Sequence, residues 1–270
     1  MLYLALTILI RYEVKNNCMT RNQILNKLNK QVKMKKAIIG VGTGNRLAAK
    51  YAEQSGADLI VIYNSGRFCM NRRVSLASLM PYGDANEIIV DIAKEVLTII
   101  ENTPVLAGVC GTDPFRRMDL FLKQLKEMGF NGVQNFPTVG LCDGVFRQNL
   151  EKTGMGYNKE VEMIRNAHEV DMLTAPYVFN IKDAASMTKA GADILVAHMG
   201  LTTKGQIGAK TAKTLGQCFK EIECIIDIAK GINPDILVIC HGGPISVTGD
   251  AEYVLKNVKG LSGFFEASGI

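Results

Sequence analysis

The sequence predicts a closed (β/α)8 barrel, the TIM-barrel class, and three observations carry that prediction. Three segments repeat one pattern: GADLIVIYNSG (56–66), GADILVAHMG (191–200) and NPDILVICHGG (233–243). Each follows a helical stretch, opens with Asp, runs through Ile- and Val-rich apolar residues and ends in polar residues and glycine. An unbroken apolar run suits a strand covered on both faces, as in a parallel sheet. Further runs at 37–42, 104–110, 130–135, 171–178 and 261–267 bring the expected strands to eight. Finally, 270 residues is an ordinary length for one such barrel. A doubly wound open sheet is the competing arrangement.

Taken in order, residues 1–18 hold the apolar run LYLALTILI, too short to span a bilayer and without the charged start or cleavage site of a signal peptide. They read as a non-native or loose extension ahead of a natural start at Met19. Mass spectrometry finding Leu2 or Tyr3 at the native N-terminus refutes this. Residues 19–270 then form a single barrel domain with an N-terminal helix. Thr20 and Gln23 pair as a capping box, and Ile24, Leu25, Leu28 and Val32 share one stripe. Helices are expected over 45–55, 84–100, 117–128, 157–168, 181–190, 211–230 and 249–257. The chain stops at Ile270 just after the eighth strand, so no eighth helix is expected. Either the sequence is truncated, or the last helix is dispensable, or a neighbouring subunit covers the open flank, and the exposed apolar surface there points to a homo-oligomer.

Composition narrows the function classes. Residues 1–36 contain eight Lys/Arg and one Glu, so the rest of the chain carries −2 of the net +5. The body is therefore not basic and no Arg-rich, aromatic-interleaved stripe exists, which argues against nucleic acid as a partner. No membrane partner is expected. Seven cysteines without a CxxC pair read as reduced thiols in a cytoplasmic protein. The turn GVGTGN (40–45) places Asn45 where a dinucleotide fingerprint needs its third glycine, and strand two ends in Tyr63-Asn64 without an acid for a ribose.

Barrel chemistry sits at the C-terminal ends of the strands. That rule selects Gly42; Asn64, Ser65, Gly66 and Arg67; Thr112 and Asp113; Asn135; Tyr177; His198 and Gly200; and His241, Gly242 and Gly243. Strand eight ends in Glu266 and Ser268. The linkers 64–83 and 136–156 are long, as lids or site loops are, and Tyr82 of the first, with Asp84 and Asn86 just after it, is expected to close over the mouth. His198 and His241 are the candidate acid, base or neutral donor. Aligning the repeats sets His198 opposite Cys240, which leaves open whether the two rings share a face. His168 falls on a helix and reads as structural. Arg67, Ser65, Thr112 and the glycines are expected to cradle an anion. Asp113 is the expected acid for a divalent cation, Mg²⁺.

The stretches GADLIVIYNSGRF, PYGDANEI, TPVLAGVCGTDPFR, GVQNFPTVGLCDGVFR, TGMGYNKEVEMIRNAH, ILVAHMGLTT and CHGGPI resemble the phosphoenolpyruvate hydrolase-like family, also called barrel signal-transduction proteins. The resemblance runs from about Met19 to Phe265. It implies a (β/α)8 barrel and a distant likeness to the phosphoenolpyruvate mutase and isocitrate lyase superfamily, whose enzymes use Mg²⁺ and stabilise a pyruvate enolate. The family has glycine where Glu266 stands, so Glu266 is set aside. The implied activity is hydrolysis of a small anionic 2-oxo-acid or phospho/phosphono substrate, phosphonopyruvate hydrolase-like. A non-catalytic ligand-binding or regulatory barrel is the alternative, and a protein-interaction platform a third class.

Overall fold

The computed structural model describes residues 19–203 and 213–266 of the chain. The expectations for residues 1–18 and for Ser268 lie outside them. The order is α1 (Arg21–Lys33), β1 (Ile38–Thr43), α2 (Arg46–Gln54), β2 (Leu59–Ile62), α3 (Asn64–Cys69), α4 (Ala85–Val96), β3 (Val105–Val109), α5 (Met118–Met128) and β4 (Gly132–Asn135). There follow α6 (Gly144–Lys152), α7 (Tyr157–Glu169), β5 (Leu173–Thr174), β6 (Tyr177–Val178), α8 (Ile181–Lys189), β7 (Ile194–His198), α9 (Leu215–Ile232), β8 (Leu237–His241), α10 (Thr248–Asn257) and β9 (Gly263–Glu266).

The strand segments form one parallel sheet in the order β5-β4-β3-β2-β1-β9-β8-β7-β6. Its two ends are halves of the strand expected at 171–178. On one side Leu173 and Ala175 donate to Asn131 and Val133 at 2.9 and 3.0 Å; on the other, the Thr174 and Pro176 carbonyls accept from Asp193 and Val196 at 3.2 and 2.9 Å. The ring therefore closes through this one segment, and the open-sheet alternative falls. Pro176 has no N–H to give to a ladder, which accounts for the interruption.

Two cores follow from the alternation of side chains along each strand. Outward residues pack under the helices, while inward ones fill the barrel. Ile24 and Leu28 of α1 are fully buried with Ile38, Leu59, Ile194 and Leu237, so the N-terminal helix stoppers the lower end. The Thr20–Gln23 capping box is present. Asp58 and Asp193, the acids that open two of the repeats, receive the Ile39 and Thr174 N–H groups at 2.9 and 3.0 Å and so brace neighbouring strands. Arg21 of α1 pairs with Asp193 at 2.6 Å.

The long linkers are not plain loops. The first contains α3 and a 3₁₀ turn at Ser75–Leu79, the second a 3₁₀ turn at Val139–Leu141 and then α6. Among the described residues no helix is long and apolar enough to cross a membrane. The six cysteines described are free thiols.

Candidate functional site

The register of β7 on β8 pairs His198 directly with His241, and Ala197 with Cys240. The offset suggested by aligning the repeats is thus corrected: strand pairing in a ring, not position in the repeat, decides which residues are neighbours. The two imidazoles lie 5.0 Å apart, edge to face, and are 6% and 7% exposed.

Their backbone partners assign complementary tautomers. The Gly200 N–H donates to His198 Nδ1 at 3.1 Å, so that nitrogen is an acceptor and the proton sits on Nε2. His241 Nδ1 lies 2.8 Å from the Phe265 carbonyl and must donate, which leaves its Nε2 as a lone pair. Burial holds the His241 ring down to about 4. Burial, and then the neighbouring His241, push His198 well below the usual histidine range. Two neutral rings therefore stand side by side at neutral pH, one offering N–H and the other a lone pair.

They rest on an aromatic bed. The Tyr177 ring centroid lies 5.0 Å from His198 and 5.4 Å from His241, with Phe179 5.0 Å from His198 and Phe265 5.4 Å from His241. The Tyr177 hydroxyl meets that of Tyr63 at 3.1 Å, and Tyr63 also donates to Gln134 Oε1. Desolvation raises both phenols, so they stay neutral. Small residues make room for this bed: a side chain on Gly40 would meet Phe265 at 2.4 Å, and one on Gly108 would meet Tyr63 at 2.5 Å.

Asn135 and Tyr177 were expected to line the pocket, and they are joined. Asn135 Oδ1 accepts the Tyr177 N–H at 2.6 Å, and its Nδ2 donates to Glu160 Oε2 at 2.5 Å. Glu160, on α7, was not among the expected residues. It is 1% exposed and also accepts from Thr138 Oγ1 at 2.7 Å and Val139 N–H at 2.8 Å. Burial raises it to about 7 against those three hydrogen bonds. The sequence did hold a signal: Glu160 lies on the stripe of Tyr157, Ile164 and Ala167, a carboxylate on a buried helix face.

Other expected residues stand elsewhere. Arg67 is half-exposed and pairs with Asp91 at 2.6 Å on the outer wall, so it does not reach the histidines. The cause is α3, which starts at Asn64 and turns the chain away from the mouth. Ser65 and Gly66 are buried in that helix, Gly66 against the second glycine of the first loop: a side chain at Gly66 would lie 2.5 Å from Gly44 Cα. Gly42 is buried in β1. Gly242 and Gly243 have φ of +77° and +61°, and side chains there would strike Gly200 O at 2.3 Å and Met199 O at 2.5 Å. These glycines are required by backbone packing. Asn64 donates to Ser78 O at 3.0 Å, while its buried Oδ1 has no partner. Tyr82 is exposed and faces Phe68, and Asp84 caps α4.

Asp113 is the centre of a rim cluster. It takes the Asn86 amide at 2.9 Å, Arg116 Nε at 3.1 Å and the Phe115 N–H at 2.9 Å, while Arg116 also reaches Asp84 and Glu87 at 2.9 and 3.1 Å. Thr112 and Asp113 line a cleft of about 560 Å³ on the flank together with Lys159 and Glu162. Arg116 already pairs with Asp113, and among the described residues no three His, Cys, Asp or Glu gather as metal ligands. The donor set around Asp113 does not fit Mg²⁺. His168 packs its ring on Gly191.

Comparison with known proteins agrees with this fold. The chain is 58% identical over 248 residues to the ToMV resistance protein Tm-1(GCR237) of Solanum lycopersicum, covering 92% of this chain and 33% of that protein. It thus spans about a third of that relative's length. Among solved structures, a phosphonopyruvate hydrolase in complex with oxalate and Mg²⁺ superposes with a TM-score of 0.58 at 14% identity, over 92% of this chain and 80% of that one. A 2,3-dimethylmalate lyase of the PEP mutase/isocitrate lyase superfamily gives 0.55 at 14% identity, over 91% and 80%. Such low identities speak for the shared barrel alone. The description "Phosphoenolpyruvate hydrolase-like" matches residues 23–270, and with nearly the whole described barrel inside that span, the chain belongs to the phosphoenolpyruvate hydrolase-like family.

Proposed function

We propose that the chain is an enzyme of the phosphoenolpyruvate hydrolase-like type, acting on a small anionic 2-oxo-acid or phosphono compound held over His198 and His241. The observation that carries this reading is the complementary pair of neutral rings, a donor beside an acceptor at the C-terminal end of adjacent barrel strands. Phosphonopyruvate illustrates the chemistry. A water gives a proton to His241 Nε2 as its oxygen attacks phosphorus. The C–P bond breaks and its electron pair passes to the 2-oxo-acid as an enolate. The enolate oxygen receives a hydrogen bond from His198 Nε2–H, and carbon then takes up the proton, leaving pyruvate and phosphate. An anionic ligand favours the charged form of each ring, which offsets the burial that holds His241 near 4.

The phosphonopyruvate hydrolase that superposes on this barrel is a complex with oxalate and Mg²⁺. Here Asp113 is engaged by Arg116, and the proton steps above need only the two rings. That ion pair also favours a second reading, a ligand-binding barrel without turnover. Phosphonopyruvate and oxalate, each with and without Mg²⁺, separate the two. Phosphate release that disappears in His241→Gln supports the enzyme. Binding by calorimetry without release supports the second reading. Absence of binding by either compound refutes both.

A further inference from the structure

Past Pro176 the fifth strand leaves the β4 ladder, and the Tyr177 N–H is answered by a side chain, Asn135 Oδ1 at 2.6 Å. The orientation of that amide is itself dictated. Its Nδ2 donates to Glu160 Oε2 at 2.5 Å, and turning it over would set N–H against the Tyr177 N–H. Tyr157, one turn before Glu160 on α7, adds a hydroxyl donor to the Tyr177 carbonyl at 2.5 Å. The ring so held is the one against which both imidazoles pack, at 5.0 and 5.4 Å.

We propose that Glu160 is a positioning residue of the histidine site: ionised, it fixes Asn135 and Tyr177 beneath the two imidazoles, and on taking up a proton it loosens them. The geometry favours the anion. Oε2 faces two donors, Asn135 and Thr138, and Oε1 faces the Val139 N–H. A proton on Oε2 has one acceptor beside it, the Thr138 hydroxyl, which takes the Gly140 N–H at 3.0 Å on one lone pair and keeps the other. Using it reverses the Thr138 bond and weakens Oε2 as the acceptor of the Asn135 amide. Protonation therefore loosens the clasp that joins β4, the turn after it and α7.

The surrounding charges set where this happens. Arg147 on α6 favours the anion, while burial opposes it. The ionisable neighbours are Cys110 after β3, Cys142 after the 3₁₀ turn and Tyr157 on the same helix, with Asp113 beyond Cys110, Asp143 beyond Cys142 and Asp183 of α8 beyond Tyr157. The balance falls at about 7.

Imidazole NMR on the full chain tests this without any ligand, with the His241 ring assigned by its loss in His241→Gln. The ring signals are expected to step with a midpoint near pH 7, the Glu160 value, and not near the ring's own value of about 4. In Glu160→Gln the step should vanish. A wild-type ring that passes through pH 6 to 8 without a step overturns the proposal, whether or not the variant folds; so does a step that persists in Glu160→Gln. The functional consequence rests on the reading of the site given above. Oxalate affinity measured in parallel should favour the wild type over Glu160→Gln by threefold or more at pH 8 and lose that advantage at pH 6, proton uptake by the rings on binding being common to both proteins. Rings that step while oxalate fails to bind uphold the coupling and overturn only that reading.

Discussion

The barrel mouth carries two polar clusters of opposite character. After β3, Asp113, Arg116, Asp84, Glu87 and Asn86 satisfy one another in a network that is partly open to solvent. At the ends of β7 and β8, His198 and His241 are buried and uncharged, and each spends only Nδ1 on the backbone. The charged cluster looks more like a site in sequence, because acids and arginines suggest metals and anions. Yet there Arg116 already holds all three carboxylates, and Asp113 takes three donors, so their hydrogen-bonding capacity is largely spent. Binding capacity lies where polar atoms remain uncommitted in a dry setting, because there each new hydrogen bond counts for most.

Substitutions on the two sides should separate stability from binding. The largest effect is expected at Gly242→Ala, where positive φ and a contact of 2.3 Å to Gly200 O coincide. A loss of ~2–4 kcal/mol in denaturant unfolding follows from strain and overpacking; a loss below ~0.5 kcal/mol contradicts the packing described. Next, His241→Gln should weaken oxalate or phosphonopyruvate about 10- to 100-fold, the worth of one charge-assisted hydrogen bond. Unchanged affinity in calorimetry removes His241 from the site. Asp113→Asn should behave oppositely, costing ~1 kcal/mol of stability through Arg116 while leaving affinity within about twofold. A strong loss of binding there would return the charged rim to consideration.

The smallest expected effects are slopes of stability with pH, and they oppose each other. Burial depresses both histidines, so the unfolded chain binds more protons below the usual histidine value of 6.5. Their contribution is present above 6.5 and is lost as pH falls, toward about 4 for His241. Glu160 is raised from 4.5 to about 7, so the folded chain binds the extra proton, and stability is lost as pH rises through that window. The two terms partly cancel between about 4.5 and 6.5. Melting temperature should therefore rise more steeply with pH in Glu160→Gln than in the wild type, and less steeply in His241→Gln. Parallel curves for all three proteins would show that these groups are not perturbed as described.

Much of the site was legible because position along a strand is legible. His198 and His241 stood out as rare residues at the ends of apolar runs, and both lie at strand ends. Arg67 stands away from the histidines because a helix of six residues beginning at Asn64 redirects everything after it. Asp113 follows β3 as expected from the strand pattern, but its partners Asn86 and Arg116 come from different segments. Glu160 escaped notice because its three donors all lie in the segment 135–139, at least 21 residues earlier in the chain.

Periodicity along the chain determined the parallel strands, the covering helices and the capped first helix, since each depends on residues within a few positions of one another. Only the closed ring decided that His198 faces His241, that the Tyr177 N–H goes to the Asn135 side chain, and that Arg116 pairs with Asp113. Those are contacts between distant segments, and their geometry exists only once the barrel has closed.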